Sequence, residues 1–272
     1  SSMGLRPWFC AKADKISARR AAMKNSLCWG EIAGVLLLTL YSSVWGYEAT
    51  KVTNGGTIKG EVKLAGAVPP AKTLKITNDR SFCGDVPDET YVIGANKGVK
   101  NVVVAITNVE KGKAADKKVH TVVDNVKCRF APRVQALMKG QKVKIKNSDP
   151  ILHNTHPYLV KKPRNRTIVN LALPNKDQVI DITRRLKRKV KKEHQAVIRI
   201  KCDAHEWMLG WVHVYEHPYF AITDEKGSFS ISDVPSGKYK LRAWHESLGE
   251  VKQEITVSAS GKVVANFEFS KK

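Results

Sequence analysis

The chain has 272 residues, a formal net charge of +22 and 42 % hydrophobic residues. That balance belongs to a globular protein of one or two domains with a sizeable core, and it excludes a disordered tail.

In chain order, the first 46 residues stand apart. A short basic stretch opens at Met23-Lys24 and leads into the uncharged apolar run Ile32 to Leu40 (IAGVLLLTL). The run is too short to span a bilayer comfortably and ends in small residues at Ser42, Ser43 and Gly46, the pattern of a secretory signal. The expected product starts at Met23 and is cleaved after Gly46 or Ala49; an uncleaved membrane anchor is the alternative. Residues 1–22 read as an upstream extension with no folding role.

Export to the periplasm or the medium sets an oxidising compartment, which bounds what the cysteines do. The leader takes Cys10 and Cys28 and leaves Cys83 (SFCGD), Cys128 (VKCRF) and Cys202. Cys83 and Cys128 sit at the edges of expected strands and are expected to pair as a disulfide. Cys202 is then a free thiol that needs coordination or protection. Without the leader, 41 Lys/Arg stand against 23 Asp/Glu, a net charge of +18.

From residue 52 onward, short runs alternate apolar and polar positions between Gly, Asn, Asp and Pro. Strands are expected over 56–66, 101–109, 141–149, 196–202 and 210–217, with a partial helical period only over 177–192. The pattern predicts an all-β sandwich or barrel. From His217 further strands are expected near 219–223, 228–231, 238–244, 251–257 and 262–269, with turns at Glu225-Lys226-Gly227 and Pro235-Ser236-Gly237.

The C-terminal stretch carries T-D-x-x-G-x-F-x-I-x-x-V-P-x-G-x-Y-x-L from Thr223, which resembles the carboxypeptidase-regulatory-like, or transthyretin-like, β-sandwich module. The resemblance implies a fold and no activity. GTIKGEVKLAG (56–66) resembles the opening strand of that module. The expected organisation is a leader over 1–46, a first β domain over 47–216, and the module over 217–272, with strand 56–66 as a candidate to complete it.

Between two β segments, TRRLKRKVKKEH (183–194) packs seven Lys/Arg into twelve residues. It reads as a solvated loop or frayed helix, or as an electrostatic docking patch for an acidic partner. Export and the lack of a recognition motif argue against nucleic acid.

KCDAHEWMLGW (201–211) contains C-x2-H-x2-M: Cys202, His205 and Met208. Thiolate, imidazole and thioether form a soft, mixed donor set that suits copper better than zinc or calcium. A second imidazole is offered by NSDPILHNTHPY, which holds His153 and His156 just after a strand. NSDPILHNTH followed by CDAHEWM resembles the cupredoxins, the type 1 blue copper proteins, with a short ligand loop of the amicyanin or plastocyanin kind.

That resemblance implies a Greek-key β-sandwich and one type 1 copper held by His153, Cys202, His205 and, weakly, Met208. It also implies that Asn154 hydrogen-bonds across to the ligand loop and helps to fix the sulfur. The loop departs from the family in lacking proline beside the second histidine: Ala204 precedes His205 and Glu206 follows it, and Asp203 adds another acid. Asp203, Glu206 and Trp207 are expected to decide what approaches the metal.

His156 is expected to be a polar loop residue, and His213 a side chain on a partly exposed strand face. His217 and His245 lack a third ligand in sequence. Asn165-Arg166-Thr167 fits the glycosylation pattern, which matters only in a eukaryotic secretory route. Hydrolase and P-loop motifs are absent, as are the H-x-H and H-C-H groupings of multicopper enzymes. The expected protein is an exported electron carrier, not an enzyme, whose partner is an acidic redox protein such as a c-type cytochrome or a periplasmic oxidoreductase. The alternatives are a copper-sequestering protein and a β-sandwich assembly or adhesion module with a structural metal.

Overall fold

The structure, a computed structural model, describes residues 46–116 and 118–271. The expected leader, with Cys10 and Cys28, lies outside the described residues except for Gly46.

The first strands are β1 (Glu48–Ala49) and β2 (Gly56–Ala65), followed by helix α1 (Arg80–Cys83), β3 (Val103–Ile106) and β4 (Lys111–Gly112). Then come β5 (His120–Val126), β6 (Arg129–Ala131), β7 (Val134–Met138), β8 (Lys142–Asn147), β9 (His153–Leu159), β10 (Arg166–Thr167), β11 (Leu171–Leu173) and β12 (Val179–Asp181). Helix α2 (Thr183–Lys189) leads to β13 (Gln195–Lys201), β14 (Leu209–Tyr215), β15 (Phe220–Ile222), β16 (Ser228–Val234), β17 (Gly237–His245), β18 (Gly249–Val257), β19 (Lys262–Val264) and β20 (Phe267–Ser270). The described chain is all-β, with two short α-helices.

β1 and β4 pair with each other, and the other strands form two sandwiches. In the first, the sheet β10-β9-β13-β14-β7, with β11 also on β9, packs against β12-β8-β5-β6. Alternation sets the facing surfaces. β8 turns Val143 and Ile145 inward, β13 turns Ala196, Ile198 and Ile200 inward, and these join Val123, Leu137, Val212 and Val214 in one core. The helical period expected over 177–192 resolves into β12 and then α2, which adds Leu186 to that core and leaves Arg184, Arg185, Lys187, Arg188 and Lys189 exposed.

In the second sandwich, β15-β3-β17-β18 packs against β16-β2-β19, with β20 also on β2. Its core holds Ile58, Val62, Phe229, Ile231, Leu241 and Phe269. A division of the chain at residues 216/217 does not follow this pairing. β2 bonds to β16, β19 and β20, and β3 lies between β15 and β17, so the first sandwich interrupts the second in sequence.

The reason is visible in β3, whose residues VVAI are all buried. A run that is apolar on both faces needs cover on both faces. Val104 and Ile106 enter the second core, while Val103 and Ala105 meet Val134 and Tyr215 at the junction of the two sandwiches.

The junction also corrects the expectation for His213. It is 0 % exposed, because the face of β14 that carries Trp211, His213 and Tyr215 lies against Trp244 and Phe220 instead of solvent.

One close approach is forced by glycine. A Cβ on Gly60 would lie 1.9 Å from the carbonyl oxygen of Ala265, a backbone atom that cannot swing aside. Gly60→Ala is expected to lower the unfolding free energy by about 1–3 kcal/mol, read from the urea midpoint.

Candidate metal centre

β9 and β13 run antiparallel, with Lys201 opposite His156. The start of β9 and the end of β13 therefore lie at the same end of the first sandwich. His153 opens β9, Cys202 follows β13, and the turn after Cys202 is closed by the Met208 N–H donating to the His205 carbonyl at 3.0 Å.

His153, Cys202 and His205 converge. Nδ1 of His205 lies 3.0 Å from Nδ1 of His153 and 3.6 Å from Cys202 Sγ, and the three donor atoms lie within 4.8 Å of one another. His153 and His205 are 0 % exposed and Cys202 is 1 % exposed. Met208, the fourth residue expected at the site, is buried in the same core as Cys202.

Carboxylates fix both rings. His153 Nε2 lies 2.8 Å from Asp149 Oδ2, and His205 Nε2 lies 2.8 Å from Asp79 Oδ2. A carboxylate accepts, so each Nε2 carries the proton and each Nδ1 presents a lone pair. Two such lone pairs 3.0 Å apart repel unless a cation or a proton lies between them. The donor set therefore fits a metal ion that takes two imidazole nitrogens and a sulfur.

The surroundings favour a neutral His153 ring, and they favour an anionic sulfur only when a positive charge is supplied. Burial lowers the His153 pKa, against the opposing hydrogen bond to Asp149. Burial pushes the Cys202 thiol up, opposed by backbone N–H groups of Asn154, His205 and Ala204. A bound cation would reverse that balance for the thiol, since metal binding and deprotonation are coupled.

Asn154 spans the gap between the two motifs. Its backbone N–H donates to Cys202 Sγ at 3.2 Å, and its side-chain oxygen accepts from the Asp203 N–H at 3.1 Å. Its amide nitrogen also donates to Asn170 Oδ1.

His156 is not in the cluster. It lies on β9, not on a loop, and three residues is an odd step along a strand, so it faces away from His153. There it bonds Asp203 at 3.0 Å and the Tyr158 hydroxyl at 2.7 Å. His217 and His245 also lie elsewhere, each accepting backbone N–H bonds at Nδ1.

Trp207 lies over His205, ring centroids 4.9 Å apart, and donates its indole N–H to the Cys128 carbonyl at 3.1 Å. Glu206 is exposed. Cys83 and Cys128 are joined in a disulfide, and Cys202 is free and buried.

Sequence reasoning missed Asp79 and Asp149. Asp149 accepts the backbone N–H of Lys127 at 2.7 Å and of Cys128 at 2.9 Å besides the ring of His153, and the spacing D-x3-H from 149 to 153 was the available signal. Asp79 had none, being 126 residues from His205.

Comparison with known proteins adds partial likenesses. The family described as Polysaccharide lyase family 4, domain II, matches residues 210–265. Among solved structures, a purple cupredoxin from Nitrosopumilus maritimus is 18 % identical, with a TM-score of 0.26 over 36 % of this chain and 99 % of its own. A reduced amicyanin variant is 20 % identical, with a TM-score of 0.26 over 41 % of this chain and 97 % of its own. A copper-containing nitrite reductase from Thermus scotoductus is 20 % identical, with a TM-score of 0.28 over 36 % of this chain; the match spans 23 % of that enzyme's length. No curated protein matches the chain in sequence.

Proposed function

We propose that the protein is an exported, non-enzymatic carrier of single electrons that binds one copper ion through His153, Cys202 and His205, with Met208 as a weak fourth donor. The observation that carries this reading is the pair of imidazole Nδ1 atoms facing each other beside a buried thiol, with both Nε2 atoms held by carboxylates. Copper bound there would supply one-electron exchange. The chain's part is to hold the donors in place beforehand: β9 and β13 fix His153 and Cys202, and Asn154 donates to the sulfur.

The partner is proposed to be an acidic redox protein such as a c-type cytochrome. The basic stretch would steer such a partner at long range and does not adjoin the metal end. α2 adjoins Val143 at the start of β8, whereas Asn147 and Asp149 at the other end of that strand serve the metal end, roughly 15–20 Å away for a strand of this length. Attraction of that kind weakens as salt rises. The second sandwich is read as a carboxypeptidase-regulatory-like module, on the strength of its T-D-x-x-G-x-F pattern.

Adding Cu(II) to the purified protein should bind one ion per chain and give an intense visible charge-transfer band that bleaches reversibly with reductant. Cys202→Ser should abolish the band and leave the circular dichroism unchanged. A band that survives this substitution, or a colourless wild type, overturns the reading.

A further inference from the structure

We infer that Asn78–Cys83 is a built-in cover over the metal centre, and that Asp79 is the positioning residue through which it orients His205 and keeps small ligands and chelators away. The inference rests on the metal-binding reading above and goes beyond it in assigning a role to a segment outside both ligand motifs.

The cover is held at three points, each on or beside an element that carries the site. The Asn78 side-chain amide donates to the Ala204 carbonyl at 2.6 Å. Asp79 Oδ2 accepts from His205 Nε2 at 2.8 Å. Cys83 is bonded to Cys128, whose carbonyl takes the Trp207 indole N–H and whose own N–H bonds Asp149, the partner of His153. His205 is therefore fully buried although its neighbours Asp203 and Glu206 are exposed.

The plain alternative is that Asp79 only caps the helix it precedes. An aspartate at that position ordinarily accepts an N–H of its own helix. Here the side chain makes no such bond: the N–H groups of Phe82 and Cys83 go to the Asp79 carbonyl oxygen, and the carboxylate goes to His205. Asp79 also stands at φ 52°, a left-handed conformation that aspartate tolerates better than most residues and that a loop adopts only when its surroundings hold it there. An exposed polar contact contributes little, but this hydrogen bond ends on a ring that is 0 % exposed, and losing a hydrogen bond that orients a metal ligand typically costs 10–100-fold in metal affinity or activity.

The test compares wild type, Asp79→Ala, Asp79→Asn and Asn78→Ala. In the copper-loaded proteins, transfer to a Cu(I) chelator and the spectral response to added azide are followed. Asp79→Ala should release copper about 10–100-fold faster and respond to azide. Asp79→Asn, which keeps an acceptor oxygen, should stay close to wild type, and Asn78→Ala should fall between. In the metal-free proteins, labelling by diethylpyrocarbonate is mapped by mass spectrometry; His205 should be protected in wild type and labelled in Asp79→Ala.

Release and labelling within twofold of wild type in both Asp79→Ala and Asn78→Ala overturn the cover. If Asp79→Ala does not fold, Asn78→Ala decides by the same two readouts. Failure of the wild type to bind copper defeats the metal reading alone, and the labelling contrast still decides whether the segment shields His205.

Discussion

Acidification from pH 7 to 4.5 is expected to lower the unfolding free energy by roughly 7 kcal/mol, chiefly through His213, His217 and His245. Burial holds these imidazoles down to about 3, about 4 and about 4, against an ordinary value of 6.5. Their bonding agrees with neutral rings. His217 Nδ1 accepts the Tyr219 N–H at 3.2 Å, and His245 Nδ1 accepts the N–H groups of Ser247 and Leu248, both at 3.3 Å. Protonation would set donor against donor. At His213 the Tyr215 hydroxyl lies 3.4 Å from Nδ1, Nε2 has no partner among the described residues, and the Arg242 charge opposes a second cation. With the folded values depressed, their stabilising contribution is fully present above pH 6.5 and is lost as the pH falls toward 4 and then 3, while the unfolded chain takes up protons. Each group contributes up to about 1.4 kcal/mol per pH unit in that window. Urea midpoints at pH 7 and 4.5 check this. His213→Phe, which keeps an aromatic ring at the junction, should remove about a third of the loss; an unchanged pH dependence in that variant would show that His213 does not cause it.

The strands that alternate cleanly were legible in sequence. KVKIKN and QAVIRIK each put one apolar row on one face, and both become strands of the first sandwich. β7 and β9 were not. VQALM buries four of its five residues, so its pattern is not the half-buried alternation of an open sheet, and HNTHPYL contains Pro157, which reads as a strand breaker although β9 accommodates it. The juxtaposition of His153 with Cys202 was expected from the resemblance of the two motifs to those of the cupredoxins, which singles out His153 over His156, and the structure does bring the two side chains together. Asp79 was not, since a side chain brought in from a loop 126 residues away leaves no periodic mark. His213 was misread because Trp211, His213 and Tyr215 look like the wet face of a strand. Only the return of the chain as β15 and β17, flanking β3, shows that this face is covered.

Glu246→Ala is expected to destabilise the protein by about 3–5 kcal/mol, because it strands a buried cation. Arg133, between β6 and β7, and Glu246, after β17, form a two-pronged pair at 2.5 and 2.9 Å with side chains 8 % and 4 % exposed. Glu246 Oε2 also accepts the Trp211 indole N–H at 2.9 Å, so its removal leaves three N–H donors, Nε and Nη2 of Arg133 and Nε1 of Trp211, without their acceptor. The double variant Arg133→Leu/Glu246→Leu removes the orphaned charge and should recover part of the loss, giving a large coupling in a double-mutant cycle. A cost below about 1 kcal/mol for Glu246→Ala would mean that water reaches Arg133 and that the pair is not a junction element. The consequence reaches the end of the first sandwich that holds His153, Cys202 and His205, because Arg133 Nη1 donates to the carbonyl of Leu209 at 3.3 Å, and Leu209 follows Met208 directly. The second sandwich thus supplies the acceptor that fixes Arg133, and Arg133 fixes the exit of the turn that follows Cys202. Glu246→Ala should therefore loosen that turn as well as the junction, detectable as faster amide exchange at Met208 and Leu209 than at Val123 and Ile145 on the opposite sheet.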